Sequence, residues 1–233
     1  MKIEYLYPEL GNLFGDSANI KYLRACLPDA EIVMTHLGDE PAFVSGTDLT
    51  YCGSMTERGQ LKALEALRPY RDALAETIER GGRFIMTGNS FELLGDSIEN
   101  GGEKTVGLGI LPMRAVVDVA HRKNSLLLGE ADGVTLTGFT SRFSDVYPEP
   151  GLDGFMKLER GIGVNPGAGA EGVRRGNFIG TYMLGPLLAL NPDWTRVLLR
   201  AMGSDAEPAY AEAAGEAYRV RLAEFRDMKR KLD

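Results

Sequence analysis

Hydrophobic residues in the first half of the chain occur in short runs that alternate with stretches of helical periodicity. The runs predict buried strands, over residues 3–7, 32–35, 49–52, 83–87 and, later in the chain, 178–183. Helical patterns cover residues 17–27 and a longer stretch that passes through Leu61 as far as Ile78. Strands that alternate with helices are typical of a mainly parallel sheet with helices on both faces. We therefore expect an α/β fold, a three-layer αβα sandwich.

The second half of the chain has a different pattern. Between residues 106 and 140, hydrophobic and polar positions alternate with period two, which predicts antiparallel or mixed strands at the edge of the sheet. Six glycines within residues 161–176 predict a loop or hairpin. The sequence Asn191-Pro192-Asp193 predicts the start of a helix, because asparagine is a favoured N-cap and proline fits the first helical position.

Length and composition favour one main domain with a terminal appendage. The chain has 233 residues, of which 44% are hydrophobic, enough for one substantial core and too few for two average domains. Residues 1–203 are predicted to form that domain. Within residues 204–233, an alanine-rich amphipathic pattern from residue 206 predicts a C-terminal helix that packs on the domain or on a partner.

Charge and cysteine content narrow the classes of function. A net charge of −7 and an isoelectric point near 5.1 weigh against a nucleic-acid groove or an anionic membrane surface, since both require a basic face. No apolar run has signal-peptide character or approaches the roughly 20 residues that span a bilayer, so we expect a cytoplasmic protein. Cys26 and Cys52 form neither a disulfide framework nor a metal-binding pattern, and no metal or cofactor is expected.

Four separated segments carry a more specific pattern, and they are residues 6–20, 53–60, 88–95 and 176–188. The first leads from a tyrosine-proline strand end through a Gly-Asp pair into a helix. The third reads Gly88-Asn89-Ser90-Phe91-Glu92-Leu93-Leu94-Gly95. Together they resemble the class I glutamine amidotransferase subunits of lipid II isoglutaminyl synthase and, more distantly, cobyric acid synthase. The resemblance covers most of the chain and implies that family's fold.

The resemblance breaks at the two positions that carry the family's chemistry. The family's Cys-Gly-Gly-(Tyr/Phe)-Gln-Leu-Leu-Gly turn matches residues 88–95 without insertion, so its cysteine falls on Gly88. Its Gly-Thr-Tyr-Leu-His-Gly-Pro-Leu-Leu run matches residues 180–188, and its histidine falls on Leu184. Glutamine hydrolysis needs a thiolate to attack the carboxamide and a histidine to carry the proton to ammonia. We therefore expect no glutaminase activity by the family mechanism.

The resemblance also implies a ligand pocket and a partner. In residues 53–60 the family residues Gly53, Arg58 and Gln60 are kept, whereas Ser54 and Met55 replace glycines. The candidate pocket residues are Gly53, Ser54, Gln60, Asn89, Ser90 and Arg122. The leading hypothesis is a catalytically inactive subunit that forms a heterodimer with an ATP-dependent Mur-ligase-like enzyme. Glutamine or a related small molecule is the expected ligand.

Other side chains allow different chemistry. Cys52 ends a central strand, where open α/β sheets bind ligands, so it is a candidate reactive thiol as well as a candidate core residue. Ser90 follows Gly88 as in a Gly-x-Ser-x-Gly nucleophile turn, but Glu92 replaces the second glycine. An active glutaminase subunit that supplies ammonia to amidate lipid II or cobyric acid is therefore the second hypothesis. A small-ligand binding protein is the third.

The remaining candidates favour structural roles. Cys26 lies on an apolar helix face, and His36 and His121 do not fall at the family's histidine position. Residues 101–105 read Gly-Gly-Glu-Lys-Thr and lack the Gly-Lys-Thr order of a phosphate loop, so an exposed loop is expected. Arg122 and Lys123 are either a contact for a ligand carboxylate, as the family's arginine is for glutamine, or a solvated pair.

Overall fold

The computed structural model describes residues 1–229; the last part of the predicted terminal helix, residues 230–233, lies outside them. In chain order the strands are β1 (Lys2–Leu6), β2 (Glu31–Thr35), β3 (Leu49–Cys52), β4 (Phe84–Thr87), β5 (Ser97–Asn100), β6 (Glu103–Val106), β7 (Met113–Val117), β8 (Lys123–Ala131), β9 (Val134–Arg142), β10 (Ser144–Pro148), β11 (Met156–Arg160), β12 (Ala170–Glu171), β13 (Val173–Arg175) and β14 (Phe178–Thr181). The α-helices are α1 (Ser17–Cys26), α2 (Glu57–Leu67), α3 (Arg71–Glu79), α4 (Leu187–Leu190), α5 (Pro192–Ala201) and α6 (Ala211–Arg226).

The central sheet is mainly parallel, as predicted. Its strands in the described residues follow the order β13-β14-β4-β3-β1-β2, and only the β13–β14 pair is antiparallel. Each of the five predicted strands is present within one or two residues of its predicted bounds. Because the parallel strands share one direction, the carboxyl ends of β1, β3, β4 and β14 meet at one edge of the sheet.

Helices cover both faces of this sheet, which confirms the three-layer αβα sandwich. On one face, Leu64 and Leu67 of α2 and Leu74 of α3 pack in one core with Phe84. On the other face, residues of α1 and α5 share a core with alternate residues of the same strands, among them Ile3, Leu23, Tyr51, Ile85 and Leu198. The near-continuous burial of β1, β3, β4 and β14 follows from this cover on both faces.

The predicted long helix through Leu61 to Ile78 is two helices. Helix α2 ends at Leu67, and a single 3-10 turn over Arg68–Tyr70 leads into α3. Pro69 lies in that turn and has no backbone N–H, so it cannot continue the helical hydrogen-bond ladder. The prediction failed because apolar periodicity continues across the break.

The prediction that residues 106–140 add strands to the edge of the central sheet was wrong. These strands belong to two separate four-stranded sheets, of order β10-β7-β5-β6 and β12-β11-β8-β9. The long β8–β9 hairpin closes through Asp132-Gly133, both with positive φ, so β8 finds its first partner in the adjacent strand of the chain. The glycine-rich residues 161–176 form a loop followed by the short strands β12 and β13.

The C-terminal region begins as predicted but differs in detail. Helix α5 starts at Pro192, whereas the Asn191 side chain accepts from Thr137 N (2.8 Å) and donates to Thr137 O (3.0 Å) instead of capping the helix. Helix α6 is shorter than the predicted 206–233 and packs on β9, where Tyr218 Oη donates to Thr135 O at 2.7 Å. The division at residue 203 stays a prediction. No helix within residues 1–229 is long and apolar enough to cross a bilayer.

Candidate functional site

A cavity of about 250 Å³ opens at the carboxyl edge of the central sheet. Strand β4 leads into the cavity, and the segment after β14 and residues from β9 and β10 also line it. The residues that line it are Leu13, Phe14, Ser54, Met55, Thr56, Glu57, Gln60, Gly88, Asn89, Glu92, Val117, Arg122, Ser141, Arg142, Phe143, Ser144, Tyr182 and Leu184. Six of the predicted positions therefore meet in one place, and they are Ser54, Gln60, Gly88, Asn89, Arg122 and Leu184.

Gly88 is held in a conformation that other residues rarely adopt. Strand β4 ends at Thr87, and a 3-10 helix over Gly88–Leu94 begins at once, with a φ of +61° at Gly88. A Cβ added to Gly88 would lie 2.4 Å from Ser54 Cβ and 3.2 Å from Leu184 Cδ2. The distance of 2.4 Å is shorter than the contacts that non-bonded carbon atoms make in proteins. The space of a Gly88 side chain is therefore occupied by Ser54.

Leu184 approaches Gly88 from the segment that follows β14. Its side chain is buried, and its backbone N–H donates to Phe139 O at 3.0 Å. The approach within 3.2 Å of a Gly88 Cβ shows that two positions far apart in sequence are neighbours in the fold. An aliphatic side chain neither accepts nor donates a proton, so this side of the cavity carries no base.

Ser54 is fixed by the buried carboxylate of Asp16, the residue before helix α1. Asp16 Oδ2 accepts from Ser54 Oγ at 2.6 Å, and Asp16 Oδ1 accepts from Ser54 N at 3.1 Å. The same carboxylate accepts from Thr87 Oγ1 (2.9 Å) and Tyr51 Oη (3.2 Å). Gly53 permits this approach, since a Cβ there would lie 2.0 Å from Gly11 O. The network holds Ser54 rigidly against Gly88.

Asn89 occupies the backbone donors of the loop that faces it. Its Oδ1 accepts from Met55 N at 3.0 Å, and its own carbonyl accepts from Gln60 Nε2 at 2.7 Å. With Ser54 N already bound to Asp16, the N–H groups of both residues after Gly53 have internal acceptors. An oxyanion hole requires such donors to point at the reacting oxygen. In this chain those of Ser54 and Met55 point at Asp16 and Asn89.

The cavity lining also includes a buried carboxylate, Glu92. It accepts from Gln60 Nε2 and Tyr182 Oη, each at 2.8 Å, and from Ser144 Oγ. Helix α2 delivers Gln60, and the hydroxyl of Thr56 caps that helix by accepting from Gly59 N at 3.1 Å. Burial raises the pKa of Glu92 above its ordinary value, although these three hydrogen bonds act in the opposite direction.

Two arginines complete this polar side. Arg142 is buried, stacks over the Tyr182 ring at 4.2 Å, and donates to Ser144 O (2.7 Å) and Gly163 O (2.5 Å). Arg122 is exposed at the cavity mouth, where its guanidinium lies 4.5 Å from the Phe143 ring centre. Arg122 therefore retains hydrogen-bonding capacity toward a ligand, whereas Arg142 is largely committed to the protein.

Three predicted residues lie behind the cavity lining. Gly53 contacts Gly11 and Asp16, as described above. Ser90 is buried, and its hydroxyl lies 2.7 Å from Thr87 O and 3.2 Å from Cys52 O, which is the geometry of a turn-closing serine. Cys52 is fully buried, and burial raises the pKa of its thiol to about 12. A protonated, enclosed thiol is a poor nucleophile.

The alternative candidates are also placed away from the cavity. His36 and His121 are exposed and pair with Glu9 (3.1 Å) and Asp118 (2.8 Å) respectively. Cys26 is buried between α1 and the segment before α6, where its sulfur accepts from Ala209 N at 3.2 Å. Residues 101–105 contain the tight Gly101-Gly102 turn of the β5–β6 hairpin and not a phosphate loop.

The most informative polar residues were not singled out as site residues from the sequence: they are Asp16, Glu92, Arg142, Ser144 and Tyr182. Glu92 carried a usable signal, since a carboxylate between Phe91 and Leu93 in an apolar stretch is buried and needs partners. Arg142 and Ser144 had none, because period-two alternation does not say which polar residue of a strand faces a cavity.

Comparison with solved structures places this fold among glutamine amidotransferases. PurLQS from Thermotoga maritima matches with a TM-score of 0.56 and 14% identity over 95% of this chain and 98% of that chain. A glutamine amidotransferase from the same organism matches with a TM-score of 0.55 and 9% identity, over 97% of this chain and 95% of that chain. At such identities the likeness shows the fold alone.

Comparison with curated proteins finds two relatives, each named as the GatD subunit of a glutamine-hydrolysing lipid II isoglutaminyl synthase. The Staphylococcus aureus (strain N315) protein is 27% identical over 81% of this chain and 78% of its own length. The Streptococcus pneumoniae (strain ATCC BAA-255 / R6) protein is 24% identical over 100% of this chain and 93% of its own length. The family model of the CobB/CobQ-like glutamine amidotransferase domain matches residues 2–192. The chain belongs to the CobB/CobQ-like glutamine amidotransferase family.

Proposed function

We propose that this chain is a glutamine amidotransferase-like subunit that does not hydrolyse glutamine. It acts as the binding or regulatory partner of an ATP-dependent, Mur-ligase-like enzyme that amidates a lipid II cell-wall precursor. The observation that carries the proposal is the packing of Gly88 against Ser54, with 2.4 Å between Ser54 Cβ and a Cβ at Gly88. This distance leaves no room for the family's nucleophile in the fold that otherwise positions it.

The loss of reactivity extends to each part of the reaction. Glutamine hydrolysis requires a nucleophile, a proton carrier and donors for the oxyanion. Gly88 has no side chain, Leu184 has no ionisable group, and Asn89 Oδ1 occupies the Met55 N–H at 3.0 Å. Removal of a single member of such a group already costs many orders of magnitude in rate. Three changes at one site favour loss of hydrolysis over a change of substrate.

The partner role is supported by what the chain keeps. Both curated relatives are named as subunits of lipid II isoglutaminyl synthase, and the pneumococcal relative aligns over the whole chain. The sheet and the helices that position the former reaction site are intact. A subunit that had lost every role would be under no constraint to keep this fold. A docking partner needs the fold, because the fold presents the surface that contacts the ligase. The ligase would then draw ammonia from solution.

An active glutaminase that uses Cys52 is the second hypothesis, and the geometry disfavours it. Cys52 is fully buried and lies outside the lining of the cavity. Its thiol pKa of about 12 leaves a negligible thiolate fraction near neutral pH. Burial and the charge of Asp16 raise this pKa more than the hydrogen bond of Ser90 lowers it.

The glutaminase assay is the direct test. We expect the purified chain to release no glutamate from glutamine above the buffer rate. The variant Gly88→Cys/Leu184→His is expected to stay inactive, because Ser54 occupies the volume that a cysteine side chain at position 88 would need. Adding Ser54→Gly and Asn89→Gly should allow hydrolysis to appear. Glutamate release by the unaltered chain would contradict the proposal, and full recovery in the double variant would contradict the packing argument.

The partner role has a separate test. The chain is co-expressed with a Mur-ligase-like subunit and purified through a tag on that subunit, and lipid II amidation is measured with either ammonium chloride or glutamine. We expect co-purification and amidation with ammonium only. Failure to co-purify, or amidation driven by glutamine, would contradict the proposal.

A further inference from the structure

A second cavity, of about 500 Å³, lies beside the first and is independent of the proposed function. One wall is the start of β8 with Arg122, Lys123 and Asn124, and the opposite wall is the loop over residues 161–168. Arg122 and Arg142 line both cavities. The second cavity is the larger of the two, and none of its lining residues lies in the four segments 6–20, 53–60, 88–95 and 176–188.

The lining of this cavity is basic although the chain is acidic. Its charged residues are Arg122, Lys123, Arg142 and Asp145, three cations and one carboxylate, which gives a net charge of +2. The whole chain carries −7. Lys123 Nζ lies 3.1 Å from Asp145 Oδ2, and Arg142 Nη2 lies 3.4 Å from Asp145 Oδ1. A single carboxylate thus serves two of the three cations.

The loop wall supplies apolar surface and a fixed backbone. Ile162, Pro166 and Ala168 face the cavity. Asn165 Nδ2 donates to Val146 O at 2.7 Å, and Ala168 N donates to Asn165 O at 3.1 Å, so the loop is tied to β10 and turned on itself. The cavity is therefore lined by both charged and apolar side chains.

We propose that this cavity binds a small organic phosphate. A phosphate dianion matches the net charge of +2, and its tetrahedral oxygens suit cations that come from different strands, whereas a carboxylate prefers one planar fork. The phosphate contacts Lys123 and Arg122, with buried Arg142 behind them. The organic part lies against the loop wall, since a phosphate alone does not fill a cavity of about 500 Å³.

Calorimetric titration at constant ionic strength tests this assignment. The probes are inorganic phosphate, ribose 5-phosphate and, as a carboxylate of similar charge, malonate. We expect ribose 5-phosphate to bind most tightly and malonate at least about tenfold more weakly. Absence of binding by both phosphates, or equal affinity for malonate, would overturn the proposal.

Charge variants locate the bound phosphate. Lys123→Gln is expected to weaken ribose 5-phosphate binding about tenfold, and Asp145→Asn to strengthen it, because the carboxylate no longer competes for the cations. The matched control is Lys104→Gln, which removes an exposed lysine 3.8 Å from Glu99 on the β5–β6 hairpin. Circular dichroism verifies folding of each variant. An unchanged affinity in Lys123→Gln, or an equal loss in the control, would show that the site lies elsewhere.

Discussion

The two sides of the cavity at the sheet edge differ in what fills them. The elbow wall, formed by Ser54, Met55, Gly88, Asn89 and Leu184, is closed by direct packing and by hydrogen bonds within the protein. The polar wall, formed by Glu92, Arg122, Arg142, Ser144 and Tyr182, keeps ionisable groups around the open space. Both walls line the same cavity of about 250 Å³.

This difference teaches that reactivity and recognition can be lost separately within one pocket. In the elbow wall, the replacement of a glycine by Ser54 fills the volume beside Gly88, so the changes are coupled through a single contact. In the polar wall, the carboxylate of Glu92 and the guanidinium of Arg142 are buried beside the cavity, at a cost in desolvation. The fold therefore allows the elbow wall to be closed by packing while the polar wall carries ionisable side chains.

The largest effect that would test the elbow wall is expected from Gly88→Ala. Its Cβ would lie 2.4 Å from Ser54 Cβ, and its φ of +61° is unfavourable for alanine. Overpacking and backbone strain together should lower the free energy of unfolding by about 3 kcal/mol. Urea denaturation measures this loss.

Two further variants separate the packing from the strain. Gly101 has nearly the same φ, +59°, with nothing within 4 Å of an added Cβ, so Gly101→Ala should cost only about 1 kcal/mol. Ser54→Gly should recover most of the excess cost in Gly88→Ala, as a coupling of at least about 1 kcal/mol in a double-mutant cycle. Equal losses at Gly88 and Gly101 would show that Ser54 does not close this wall.

A smaller effect is expected from the polar wall. Burial raises the pKa of Glu92, so the unfolded chain holds this proton less tightly than the folded chain. The contribution of Glu92 to stability is then complete below its ordinary pKa and is lost as pH rises through the raised pKa. Glu92→Gln removes this dependence and should stabilise the protein by on the order of 1 kcal/mol at pH 8.

The pH series is what distinguishes this cause from better packing. Unfolding free energies of the two proteins should agree at pH 4 and diverge as pH rises. The control is Glu57→Gln, which removes a carboxyl that is exposed at the mouth of the same cavity. A gain that is the same at every pH would contradict the assigned role of Glu92.

Much of the fold could be predicted because its strands are buried on both faces. Such strands appear as short apolar runs with little dependence on distant partners, and the five that were predicted are present. The proximity of Gly88 and Leu184 was implied by the resemblance alone. In the structure, a Cβ added at Gly88 would lie 3.2 Å from Leu184 Cδ2. The hydrophobic pattern of the strands and the family resemblance together predicted where the site lies.

The parts that could not be predicted depend on contacts between distant residues. The contact of Ser54 with Gly88 joins two loops, and the Asn191 side chain serves Thr137 in β9 instead of its own helix. Strands β8 and β9 read as edge strands, because period-two alternation gives no information on which sheet a strand joins. Which side chain fills a given space, and which strand or residue it pairs with, is decided only when the chain folds.

The smallest effect should come from Arg122, the exposed member of the polar wall. Its guanidinium stacks on Phe143 at 4.5 Å and donates to Ser141 Oγ at 3.3 Å, and neither contact is enclosed. Arg122→Ala should therefore change the free energy of unfolding by no more than about 0.5 kcal/mol. If urea denaturation showed a loss above about 1 kcal/mol, this arginine would be structural. Near-neutral stability together with weaker ribose 5-phosphate binding would show that Arg122 serves the phosphate in the second cavity, which it also lines, and not the stability of the polar wall.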